Sequence, residues 1–85
     1  GLNDAWKDGV LDALPANATA QDKAEAFARA ICEDFAGKGA IALANRWNKH
    51  QKMIDSFATR FPELHGMVID AYETRRNELT PKIPY

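Results

Sequence analysis

Apolar residues recur at helical spacing in four separate stretches of this chain, with polar residues filling the positions between them. In the first stretch, residues 3–14, Trp6, Val10, Ala13 and Leu14 share one face. Asn3 is placed to cap its start, Asp4 suits the positive end of the helix dipole, and Pro15 closes it. In the second, residues 20–36, Ala20, Ala24, Phe27, Ala28, Ile31 and Phe35 form the stripe, and Asp22, Glu25, Arg29 and Glu33 lie on the far side. Thr19 followed three residues later by Asp22 is a capping-box start, and Gly37 is a natural stop because it tolerates the left-handed conformation.

The third stretch, residues 40–61, is the longest. At 100° per residue, Leu43, Trp47, Ile54, Ala58 and Phe61 cluster within about 60°. The phase holds through the polar run Asn48–Lys52, which predicts one long helix rather than two short ones. Phe61-Pro62 breaks it, since a residue before proline avoids the α region, and Pro62 then suits the first position of a fourth helix over residues 62–79. Leu64, Val68, Ala71, Tyr72 and Leu79 are its stripe, and Thr80-Pro81 ends it. Arg75 falls within that stripe, either with its stem packed and its guanidinium reaching solvent, or paired and partly buried.

These elements predict an all-α fold, a small bundle of about four helices whose short connections make neighbours antiparallel. Residues 1–80 read as one helical-bundle domain and residues 81–85 as an extended C-terminal tail, either loose or docked by Ile83 and Tyr85. Phe27, Ile31, Phe35, Trp47, Ile54 and Val68, at the centres of three stripes, are the expected central core. With 85 residues, 46% of them hydrophobic, the chain can bury one modest core without disulfides or metals.

The net charge of −1 makes the whole chain no magnet for polyanions. The charge is unevenly distributed: residues 1–37 hold three basic and seven acidic side chains, residues 38–85 eight and five. Asp4, Asp8 and Asp12 make an acidic ridge on the first helix, which reads as a solvated face. The single cysteine, Cys32, excludes an internal disulfide and points to a reducing, cytoplasmic compartment. No apolar run approaches membrane-spanning length, so no membrane association is expected. Gly1 in place of methionine suggests a domain cut from something longer or a scar left by tag cleavage.

The sequence carries no convergent catalytic set, and the expectation is a non-enzyme with no cofactor and no metal. Cys32 sits near the C-terminal end of its helix, where the dipole disfavours a thiolate. Ser56 has Lys52 one turn before it, but an exposed lysine is protonated and cannot serve as a base. His50 and His65 lie on different helices, and no Cys or His pairs occur at zinc-ligand spacing. His50, on the apolar side near Phe57, reads as a packed residue with one hydrogen bond. Gly37-Lys38-Gly39 is too short for a phosphate loop and reads as a helix–helix turn.

Two function classes remain. The first is a soluble helical module for protein–protein interaction, as a regulatory or accessory domain of a larger protein. Its candidate partner-binding residues are Met67, Ile69 and Leu11, which lie off their helices' stripes and either widen the buried face or anchor another chain, a second copy included. The second is a nucleic-acid-binding domain using the basic face of the third helix, with Lys38, Lys49, Lys52 and Arg60 aligned beside Asn45 and Asn48. The acidic overall balance and the unusual length of that helix weigh against the second class.

Overall fold

The computed structural model of the chain describes residues 5–80, all of it built from helices and short connections among the described residues. The four are α1 (Ala5–Asp12), α2 (Ala20–Phe35), α3 (Ala40–Arg60) and α4 (Pro62–Leu79). The bundle expected from the periodicity is the one observed. The first helix is shorter than expected: Ala13 and Leu14 already turn, with their amides bonding the Val10 and Leu11 carbonyls. The proposed Asn3 cap, Asp4 and the tail 81–85 lie outside the described residues.

Local chemistry explains the helix ends. At the start of α2 the Asp22 amide donates to Thr19 Oγ1 at 3.1 Å and the Thr19 amide to the Asp22 carboxylate at 3.1 Å, a reciprocal capping box. Gly37 turns the chain out of α2 at φ 73°, and a Cβ there would meet nothing within 4 Å, so the demand for glycine is conformational rather than steric. Phe61 serves two helices. Its amide closes α3 on the Phe57 carbonyl at 2.8 Å, and its own carbonyl accepts the Leu64 and His65 amides that open α4. Pro62, without an N–H, sits where α4 would have left one unbonded.

The core is built by α2, α3 and α4. Ala24, Ala28, Ile31 and Phe35 of α2 meet Leu43, Ile54 and Phe57 of α3 and Leu64 and Val68 of α4. Of the six expected central residues, Ile31, Phe35, Ile54 and Val68 are fully buried, whereas Phe27 and Trp47 are half-buried against the cluster. On α3 the buried arc is rotated from the expected stripe toward His50 and Phe57, leaving Ala58 exposed. The cause is that α3 packs against α2 on one side and α4 on the other, so its apolar arc must serve two neighbours. Near the α2–α3 turn, Phe35, Trp47 and Tyr72 form an aromatic cluster with centroids 4.5–6.4 Å apart.

Arg75 takes the second of its two expected states. Its Nε donates to the Lys38 carbonyl at 2.8 Å, and a terminal guanidinium nitrogen lies 3.7 Å from Glu78. This ties α4 to the turn between α2 and α3 through a backbone carbonyl of that turn.

Two stability outcomes follow from this packing. Ile54→Ala should cost about 2–5 kcal/mol in denaturant melts, and a loss under about 0.5 kcal/mol would mean that α3 is rotated away from the core. Gly37→Ala, with no clash to relieve, should cost about 1–2 kcal/mol through the left-handed backbone alone, and a neutral result would remove the conformational argument.

Candidate functional site

The cleft between α2 and α3 is the feature on which functional residues converge. It is filled differently at its two ends. Toward the middle of the bundle it holds a polar pair: His50 Nε2 lies 2.7 Å from Asp34 Oδ2, with the Arg46 guanidinium 3.6 Å from the other carboxylate oxygen. His50 is 2% exposed, and its Nδ1 is buried without a hydrogen-bond partner among the described residues. Trp6 of α1 closes this part of the cleft, edge-on to His50 at 4.7 Å and to Phe27 at 5.6 Å between centroids. Beside the pair is an open recess of about 310 Å³ lined in part by Trp6, Val10, Glu33 and Lys49.

Burial pushes the His50 pKa below its ordinary 6.5, against the bond and charge of Asp34 and with help from the neighbouring Lys49 and Arg46. Burial alone would raise Asp34, but the His50 bond and the positive charges of Arg46 and Lys49, joined by His50 once acid protonates it, prevail and hold it below 3.8. The neutral imidazole therefore donates from Nε2 to an ionised Asp34, and Nδ1 keeps an unbonded lone pair. A second proton would leave an unpaired N–H in an apolar setting. This accounts for His50 as a packed histidine with one hydrogen bond. A nucleophile is not part of the arrangement: the Ser56 hydroxyl donates back to the Met53 carbonyl at 2.7 Å.

At its other end the cleft is apolar and empty. The N-terminal half of α2 and the C-terminal half of α3 leave a groove of about 240 Å³ whose walls are Ala20, Ala24 and Phe27 on one side and Met53, Phe57 and Phe61 on the other, with Lys23 and Arg60 at the rim. The Arg60 guanidinium lies 5.7 Å from the centre of the Phe61 ring. Comparison of the chain with family models, with curated proteins and with solved structures finds no match.

The expected site residues are distributed as follows. Asn45, Lys49 and Lys52 line a broad, shallow recess of about 730 Å³ on α3, joined by Arg46 and Asn48. Lys38 lies in the turn before α3, half-buried, and Arg60 belongs to the apolar groove, so the expected ridge is one patch only over its middle. Leu11 and Met67 are 37% and 38% exposed, while Ile69 is half-buried against the core. Ile69 and Met67 lie on opposite flanks of α4, and Leu11 on α1, so the three do not make one surface. Ile41, 81% exposed at the start of α3, is the most open large apolar side chain among the described residues.

Cys32 is half-buried, with Sγ 3.9 Å from the Met67 carbonyl. Burial raises its pKa, and the carboxylates of Asp70 and Glu33 raise it further. Among the described residues no three of His, Cys, Asp and Glu converge as a metal-binding group, and no helix is long and apolar enough to cross a membrane. Asp34 and the groove-lining Met53 carried no functional signal in the sequence, and Ser56 was weighed only as a nucleophile, not as a groove residue. The one clue to Asp34 was a polar residue bordering the α2 stripe.

Acid should weaken the fold in a defined window. The unfolded chain protonates His50 near 6.5 and the folded chain only at lower pH. Stability is thus full above about 6.5 and falls as the pH drops from there to the folded pKa, while Asp34 adds a second loss below 3.8. Urea midpoints between pH 8 and 5, repeated for His50→Gln, should show the first fall in the parent alone. A His50 imidazole titrating above 6.5 by NMR would contradict this. Thiol absorbance should likewise place the Cys32 midpoint above the ordinary thiol value of 9.0, and rapid alkylation at neutral pH would count against it.

Proposed function

We propose that the chain is a non-catalytic helical module that binds another protein, as an interaction or regulatory domain of a larger protein. The observation that supports this reading is the apolar groove between α2 and α3. A bundle this small that leaves Phe27, Met53 and Phe61 half-buried around an empty groove has an anchor pocket ready for an incoming side chain. At about 240 Å³ the groove falls below the roughly 300–1,000 Å³ of small-molecule sites, which favours a single side chain from a protein partner over a metabolite. The lone, poorly ionised Cys32 fits a reducing compartment such as the cytoplasm.

A second reading, nucleic-acid binding, is supported by one observation: Asn45, Arg46, Asn48, Lys49 and Lys52 line a common recess. It is weakened because Arg46 is engaged by Asp34 and because Asp8 and Asp12 are exposed on the same small body.

Two measurements separate the readings. Titration of the isotope-labelled chain with indole should first shift Met53, Phe27 and Phe61 signals, and shifts spread evenly over the surface would remove the groove as a site. Duplex and single-stranded DNA should bind negligibly at about 0.15 M salt, where screening acts over about 8 Å. Micromolar binding that falls steeply with salt and is lost in the Lys49→Glu, Lys52→Glu double variant would replace the protein-binding reading with the nucleic-acid one.

A further inference from the structure

The apolar groove has a cation on each helix wall, and neither is neutralised. Lys23 on α2 and Arg60 in the last turn of α3 are exposed, line the same groove, and have no carboxylate partner among the described residues. The acidic neighbour of Lys23, Asp22, has its carboxylate engaged by the Thr19 amide. By contrast Arg46 is matched by Asp34, and Arg75 by Glu78 and the Lys38 carbonyl. The Phe61 ring beneath Arg60 holds its guanidinium at the rim rather than leaving it free in solvent. Between the two cations the floor offers almost nothing polar, because Ser56 turns its hydroxyl back onto its own helix. Ala20 and Ala24 supply the depth, since a larger residue at either position would fill the space that Met53 and Phe57 face.

We infer that this groove receives a short acidic amphipathic segment of another protein, with one bulky apolar side chain seated against Ala24, Phe27, Met53 and Phe57 and carboxylates on either side meeting Lys23 and Arg60. The inference rests on the reading of the chain as a protein-interaction module and names the chemistry of its partner. The apolar anchor supplies affinity, and the two cations supply orientation and choice of partner, because an uncharged or basic segment would leave them unmatched or opposed. Arg60 contributes a planar fork for a carboxylate, and Lys23 a mobile point charge that tolerates variation in the partner's spacing. A helical segment with a bulky apolar residue at position i and acidic residues three or four positions before and after it presents this pattern on one face.

The test is selection of random twelve-residue peptides displayed on phage against the full chain at pH 7 and about 0.15 M salt. Enriched peptides are then synthesised and measured by fluorescence anisotropy. Two variants accompany the parent: Lys23→Glu with Arg60→Glu, both at exposed positions where circular dichroism should confirm an intact fold, and Met53→Arg, which blocks the groove. The expected result is enrichment of peptides with one or two of Trp, Phe, Leu or Met flanked by Asp or Glu. Their affinity should fall about tenfold or more in the charge-reversed variant, fall with added salt, and be lost in Met53→Arg. Enriched peptides without acidic residues that bind the charge-reversed variant as well as the parent, yet are lost in Met53→Arg, would overturn the acidic partner and leave the groove reading standing. No enrichment, or binding indifferent to both variants, would overturn both.

Discussion

The geometry of this bundle follows from one constraint: α2 and α3 each pack more extensively against α4 than against one another. Ala28, Ile31 and Phe35 of α2, with Leu43, Ile54 and Phe57 of α3, enclose Leu64 and Val68 of α4 in one continuous core. Two helices leaning on a third part on the side away from it. The resulting cleft must be filled or left open. Trp6 and the His50–Asp34 pair fill its middle, and small residues on α2 leave the remainder as a groove. The candidate binding site is therefore a by-product of how the core is shared among three helices. A larger residue at Ala20 or Ala24 would have closed it.

The polar pair in the cleft and the Arg75 bond to the α2–α3 turn pin the same helices at different places. The first fixes α2 against α3 where apolar packing between them is thin, at the cost of an imidazole nitrogen with no partner. The second fixes α4 to the turn through a backbone carbonyl. Buried polar contacts of this kind add little net stability, since desolvation offsets much of their strength, but they discriminate against sliding or rotation of one helix past the next. In a core made of alanine, isoleucine, leucine, phenylalanine and one valine, that discrimination favours one helix register over its neighbours.

The fold was legible where its signals are local. Thr19 with Asp22, Gly37, and Phe61 with Pro62 each mark a boundary through chemistry confined to a few residues, and α2, α3 and α4 begin where those marks place them. The buried faces were legible to within a small rotation, because 3.6-residue periodicity reports one apolar arc and does not say how two neighbours divide it. The site was much less legible. Asp34 and His50 are 16 residues apart and meet only because of the relative rotation of two helices. The basic ridge was read from a shared helical face, but Asn45 and Arg60 are separated by about 22 Å along α3, so a common angle does not make a common patch. A groove is harder still to read, since it consists of space that side chains leave unfilled.

The two tryptophans occupy unlike surroundings. Trp47 is stacked within the Phe35–Tyr72 cluster between α3 and the rest of the core. Trp6 projects from a helix with no fully buried residue and touches the body through Phe27 and His50. α1 accordingly stands at the low end of local stability, while the aromatic cluster persists until the three-helix core gives way. The chain thus contains two optical reporters that need no added label: Trp6 emission follows the docking of α1, and the near-ultraviolet dichroism of Trp47 follows the core.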